Sequence, residues 1–330
     1  MSWLSFGRIR QVHVFLPTFG FLTTAYFAGI LYITPRLTGG TLEGLGAARL
    51  ALWLWNLAMA TGAVTLMLGY TRGREWSEVI WPVDFLMLAA VVLLAWTFFL
   101  SLARRREPQL YVSLWYFLGA LIWFPILLVV GKGLWSPFQS PYFGVSDAIA
   151  NWFMGHNILG LWITALGTGV AYYLLPLLVG RPIHSHALSL VGFFGLGLFY
   201  PHVGAHHLIW GPIPNWLETW AVTASALMIV PVYAVIYNFW RTAPDLRSLW
   251  RRNPALAFLL VGVGAYFLSV VQGSLQAFRS INRLIHFTQW VPGHAMLALG
   301  MGFGSIALAL MYVVLPAVTG RPWLSRRWAW

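Results

Sequence analysis

Six histidines lie within or just inside long apolar stretches of the chain: His13, His156, His202, His206, His207 and His294. Ionisable groups at membrane depth are costly and mark functional sites. His206 and His207 are adjacent and would project about 100° apart on a helix. Two imidazoles so placed converge on one ion when a neighbouring helix supplies a third, and His156, on a separate apolar stretch, is that third. Three neutral imidazoles suit copper, zinc or iron; the bland alternative is a polar network between helices. His294 and Met296 are two positions apart and would point about 200° apart around a helix, facing different cofactors rather than one ligand plane. His13, near the start of the first stretch, is available to complete one of those sites. Methionine on a membrane helix is most often packing, but His–Met axial ligation of haem is known and raises its reduction potential.

The elements that must position these residues are apolar helices. The 330 residues are 59% hydrophobic and 8% charged, far from the roughly 25% charged content of soluble domains. Disorder is excluded by the same numbers. A spanning helix needs about 20 apolar residues, and nine stretches qualify: 12–34, 46–70, 79–102, 110–131, 146–179, 186–210, 215–240, 255–277 and 284–317. The expected fold class is all-α, a polytopic transmembrane helix bundle of about nine spans, with residues 1–330 forming a single integral-membrane domain. The connections are short and punctuated by Pro, Gly and Arg, as in Gly180-Arg181-Pro182, and leave no room for a soluble domain. The N-terminal residues carry no cleavable signal pattern. With no Cys there is no disulfide, thiolate metal site, iron–sulfur cluster or covalent CxxCH haem attachment.

The net charge is +12, yet the basic residues are scattered among interhelical segments, so no nucleic-acid partner is expected. With the N-terminus outside, thirteen basic residues fall on the inner side (Arg36, Arg49, Arg104, Arg105, Arg106, Arg181, Arg241, Arg247, Arg251, Arg252, Arg321, Arg326, Arg327). Seven fall on the outer side (Arg8, Arg10, Arg72, Arg74, Lys132, Arg279, Arg283). The positive-inside rule then predicts an N-out, C-in orientation. Arg8 and Arg10 precede His13, and Arg279 and Arg283 precede His294. They either snorkel to the interface or pair with anionic groups such as haem propionates. Asp84 is the one acid near a helix interior, either functional there or an end-of-helix group facing water.

Four segments together resemble the catalytic subunit I of the heme–copper oxidases, closest to the C-family (cbb-type) cytochrome c oxidases. They are Phe6-Gly7-Arg8-Ile9-Arg10-Gln11-Val12-His13; Gly155-His156-Asn157 followed by Tyr172-Tyr173-Leu174-Leu175-Pro176; Tyr200-Pro201-His202-Val203-Gly204-Ala205-His206-His207-Leu208; and His286-Phe287-Thr288-Gln289-Trp290-Val291-Pro292-Gly293-His294-Ala295-Met296. The resemblance implies copper held by His156, His206 and His207, an active-site haem b on His294, and a second, low-spin haem b on His13. Tyr200 would be the catalytic tyrosine, joined covalently in the family to the histidine that corresponds to His156. On an α-helix, Tyr200 and His207 would share nearly one face, two turns apart. Arg8, Arg10, Arg279, Arg283, His286 and Gln272 would line the haem sites. Tyr172, Tyr173, Ser185 and Ser189 would carry protons from the inner side.

The departures are specific to this chain. Met296 stands where the family has its last haem histidine, so the low-spin haem would have His13 and Met296 as ligands, or be weakly held, or be missing. Gln272 stands where the family has an acid, Gln289 where it has an aspartate before the Trp290 position, and His202 where it has an aromatic residue. The chain starts at what looks like the family's second helix and ends after its tenth, so a partner chain supplies three helices or the sequence is a reduced or partial form. The resemblance implies a terminal oxidase reducing dioxygen to water, coupled to proton translocation. Its electrons would come from cytochrome c or a c-type cytochrome subunit, in a lipid-embedded assembly of the prokaryotic inner membrane. Two alternatives remain: a nitric oxide reductase-like subunit, and a non-catalytic haem-binding membrane sensor or assembly subunit. Tyr200 and the lack of any Glu between Glu107 and Glu218 favour oxygen chemistry; Met296, Gln272 and the three absent helices favour the sensor.

Overall fold

The computed structural model describes residues 2–243 and 253–323. Arg247, Arg251, Arg252, Arg326 and Arg327, counted above toward the inner side, lie outside the described residues. Among the described residues nine helices are long and apolar enough to cross a membrane. We label them with one short helix in chain order: α1 Phe6–Thr38, α2 Leu45–Leu68, α3 Trp81–Ala103, α4 Val112–Lys132, α5 Val145–Val179, α6 His186–Leu208, α7 Asn215–Thr242, α8 Pro254–Gln276, α9 Arg279–Ile285 and α10 Trp290–Thr319. The chain is an integral membrane protein built as a helix bundle.

Short connections make sequence neighbours pack together: α2 lies on α3, α4 on α5, α6 on α7, and α8 on α10. Helix α5 is the central one, with 89% of its apolar window buried inside the protein. Its interior face is aromatic. Trp162 stacks on Phe124 of α4 at 4.3 Å, and Phe27 of α1 lies edge-on to Trp162 at 6.0 Å.

Three helices contain π-helical stretches: Leu16–Thr23 in α1, Ile158–Thr164 in α5 and Leu297–Phe303 in α10. π-Helical turns are rare and concentrate at functional sites. Each stretch here begins one to three residues after a potential ligand, namely His13, His156 and Met296. Donors from neighbouring helices reach these stretches. Trp55 Nε1 donates to Phe19 O at 3.1 Å, and Tyr26 OH donates to Phe303 O at 2.8 Å. Trp162 Nε1, itself in the α5 stretch, donates to Thr23 Oγ1 at 3.0 Å. Polar side chains thereby join helices where lipid offers no competing partner.

Two expected spans are reshaped. Helix α6 is α-helical only to Phe199 and continues as a 3₁₀ helix over Tyr200–Leu208. Pro201 lacks an N–H, and its ring opposes an α-helical carbonyl four residues earlier. At three residues per turn, Tyr200 and His207 do not share a face, which corrects the two-turn reading of their spacing. The predicted 284–317 span is also interrupted. Helix α9 ends at Ile285, and α10 starts at Trp290, whose N–H donates to Thr288 Oγ1 at 3.2 Å. His286 and Phe287 occupy the break, with Phe287 at φ 64°.

Candidate metal centre

His156 lies at the penultimate position of the α-helical first half of α5, just before the π-helical stretch. His206 and His207 come from the 3₁₀ end of α6. One ligand nitrogen from each of the three lies within 4.8 Å of the others, the one such cluster among the described residues. His156 Nδ1 and His207 Nε2 are 2.9 Å apart, close enough to share a proton. Two nitrogens bound to one ion at about 2.0–2.1 Å each in tetrahedral geometry stand about 3.3 Å apart. A few tenths of an ångström of opening therefore converts this pair into a ligand pair. His156 Nε2 is buried without a hydrogen-bond partner. An orphaned imidazole nitrogen beside two further imidazoles is a donor set that fits copper.

Two aromatic side chains frame the cluster. The Tyr200 ring lies against His156 with centroids 4.7 Å apart and planes 19° apart. Gly160 makes this possible, because a Cβ there would strike the Tyr200 ring itself. Trp152 stacks on His207 at 3.9 Å and 9°. Trp152 has one signal in the sequence, a position one helical turn before His156, which does not set it apart among twenty tryptophans. His202 does not join the cluster. It is exposed, sits edge-on to Trp220 at 5.6 Å, and lines an apolar cavity of about 450 Å³ with Phe153 and Trp216.

His206 Nδ1 is 2.9 Å from Ser225 Oγ on α7, a contact with no sequence signal. On α10, His294 Nδ1 is 3.3 Å from Gln272 Oε1 of α8. A Cβ on Gly273 would approach His294 Cε1 to 3.1 Å and Nε2 to 3.3 Å, so the bare backbone there makes a cradle for the imidazole edge. A half-buried imidazole, oriented by an amide oxygen and clear along one edge, fits the axial ligand of a haem.

The remaining sequence-predicted residues are distributed as follows. His13 is exposed, and Met296 is 50% exposed. Arg8 donates to Met67 O at 3.1 Å, Arg10 pairs with Glu75 at 2.6 Å, and Arg279 pairs with Glu218 at 2.5 Å. Arg283 is exposed. His286 Nδ1 is buried without a partner while its ring stacks on Phe287 at 4.2 Å; burial lowers the pKa of this imidazole. Tyr172 is buried, its hydroxyl unpartnered, with its ring stacked on Tyr116 at 5.7 Å. Tyr173 is half-buried. Ser185 caps α6 by accepting from Leu188 N–H, and Ser189 Oγ donates to Ser185 O at 3.1 Å. Asn238 of α7 clamps both serines through Ser185 O at 2.8 Å and Ser189 Oγ at 3.1 Å.

Asp84 is fully buried at the start of α3 and ion-paired with Lys132, the last residue of α4 and the only lysine in the chain. Arg72 Nη1 stands 3.9 Å from its other oxygen. Asp84 therefore faces neither water nor lipid head groups, and Lys132 is an interhelical partner rather than a free topogenic charge.

Fold and site define a polytopic membrane protein carrying a three-imidazole cluster able to hold a metal ion and a separately oriented fourth histidine. Over all of residues 1–330 the sequence matches the family described as Cytochrome C and Quinol oxidase polypeptide I, and the chain belongs to that family. It is 32% identical over 97% of its length to the Cbb3-type cytochrome c oxidase subunit CcoN1 of Stutzerimonas stutzeri, spanning 69% of that protein. It is 30% identical over 96% of its length to cytochrome c oxidase subunit 1 of Rhodobacter capsulatus, spanning 61% of it. A solved heme-copper terminal oxidase dimer, studied by cryo-EM, shares the fold at a TM-score of 0.75 and 17% identity, over 96% of this chain and 62% of that one.

Proposed function

We propose that this chain is the catalytic subunit of a terminal oxidase that reduces dioxygen to water with electrons from cytochrome c or a c-type cytochrome subunit, coupled to proton translocation. The observation that carries the reading is the convergence of His156, His206 and His207 with Tyr200 stacked on the first of them. The family membership and the names of the relatives support it. His156, His206 and His207 hold copper. His294 holds the iron of the active-site haem b, and His13 with Met296 holds that of a low-spin haem b. Haem iron and copper held by these residues would supply the redox chemistry that dioxygen reduction needs.

The protein's own groups do the rest. Gln272 orients His294, and Tyr200 holds a hydroxyl hydrogen beside the cluster for delivery as the oxygen–oxygen bond breaks. Arg8, Arg10, Arg279 and Arg283 bind the haem carboxylates, because charge-assisted pairs to carboxylates are strong where water is scarce, and His286 lines the haem site. Protons enter past Ser185, Ser189, Tyr173 and Tyr172. The serines also clamp the start of α6, so they hold the route in shape as well as lining it. The N-terminus faces outward and the C-terminus the cytoplasm, in the inner membrane of a prokaryotic cell, where other oxidase subunits join the chain.

The test is metal and haem analysis of the protein purified from its membrane, with oxygen consumption driven by a reduced c-type cytochrome. Copper with two haems and cytochrome-driven oxygen uptake are expected. Non-haem iron would replace this reading with nitric oxide reduction, and one haem without copper would replace it with a sensor or assembly role.

A further inference from the structure

The serine at position 225 has one hydroxyl hydrogen and two neighbours that compete for it. Ser225 Oγ lies 2.6 Å from Ala221 O, one helical turn back on α7, and 2.9 Å from His206 Nδ1. Hydroxyls in helices commonly donate to the carbonyl four residues earlier. A carbonyl can only accept, so at 2.6 Å the hydrogen is committed to Ala221. The Ser225 oxygen then has only lone pairs to offer His206, and Nδ1 must be the donor. A neutral imidazole carries one N–H. With that hydrogen on Nδ1, the Nε2 of His206 is bare and able to bind a metal.

Ser225 is itself held. It is buried at 3% exposure, and its carbonyl accepts from Ser274 Oγ of α8 at 2.9 Å. Ser274 is two residues after Gln272, the residue that contacts His294. The segment Gln272-Gly273-Ser274 therefore touches the His294 side through an amide and a backbone cradle, and the His206 side through Ser225. Three consecutive residues of α8, less than one helical turn, thus touch both halves of the site.

We propose that Ser225 is a positioning residue that fixes His206 as an Nε2 metal ligand, and that Ser274 locks Ser225 to the helix that orients His294. The proposal rests on the reading of the three-histidine cluster as a copper site. Groups of this kind typically change metal affinity 10–100-fold when removed.

The experiment compares the full-length protein, purified with its accompanying subunits, with its Ser225→Ala, Ser225→Thr and Ser274→Ala variants. Copper retention is titrated with a competing chelator, and haem content is measured in parallel as a control for folding. Ser225→Ala should lose copper at about 10–100-fold lower chelator concentration with haem content unchanged. Ser225→Thr, which keeps the hydroxyl, should restore retention. Ser274→Ala should fall between. Copper held equally tightly by Ser225→Ala and the unmodified protein overturns this proposal and leaves the oxidase reading intact. Copper absent from the unmodified protein overturns the oxidase reading and this proposal with it. Should Ser225→Ala lose haem as well, Ser274→Ala decides: weakened copper with full haem supports the proposal, and unchanged copper overturns it.

Discussion

The Tyr200 ring lies flat against His156, centroids 4.7 Å apart and planes 19° apart, in the space left by the missing side chain of Gly160. The tyrosine comes from the 3₁₀ end of α6 and the histidine from α5, so the stack is set by packing between two helices. Gly160→Ala tests it. The added methyl group must displace the ring, and overpacking of this kind costs about 1–3 kcal/mol. A lower thermal midpoint and reduced oxygen consumption, with copper content unchanged, are expected. Full activity at unchanged stability would show that the stack has slack.

The Asp84–Lys132 pair joins α3 to α4 with both side chains buried. Removing one partner of a buried pair leaves an uncompensated charge and costs about 3–5 kcal/mol, whereas replacing both by apolar groups is often neutral. Asp84→Leu alone should therefore lower the thermal midpoint sharply, and Asp84→Leu with Lys132→Met should recover most of the loss. Equal melting of the single variant and the unmodified protein would mean that water or another acceptor takes over Lys132.

Met296 offers a thioether, and thioether ligation raises the potential of a haem above that of a bis-histidine site. If His13 and Met296 hold the low-spin haem, Met296→His lowers its midpoint and changes its optical and paramagnetic spectra to bis-histidine type. An unchanged spectrum in Met296→His, together with an undisturbed haem count in His13→Ala, removes both residues from the haem site.

Gln272 is a neutral acceptor 3.3 Å from His294 Nδ1. A carboxylate there would draw the Nδ1 hydrogen more strongly and make the imidazole more basic toward iron. Gln272→Glu is therefore expected to lower the midpoint of the haem on His294, read by redox titration, while the midpoint of the second haem stays in place. Equal shifts in both haems would point to a general field effect.

The sequence by itself determined the class of fold and singled out the three histidines that the structure brings together. Apolar runs longer than a bilayer is thick leave the helix as the structure that satisfies the backbone, and the polar residues within such runs are few enough for the adjacent His206-His207 and the isolated His156 to stand out. Local sequence does not encode how one helix rests on another, and that is where the tertiary structure decided. It replaced the two-turn register of Tyr200 and His207 with a 3₁₀ segment in which Tyr200 meets His156 instead. It inserted π-helical stretches after His13, His156 and Met296, where interhelical donors reach the backbone. It paired Asp84 with Lys132, 48 positions away, and brought Ser225 to His206. Neither contact has a periodic signature, because each depends on one polar atom meeting another across two packed helices.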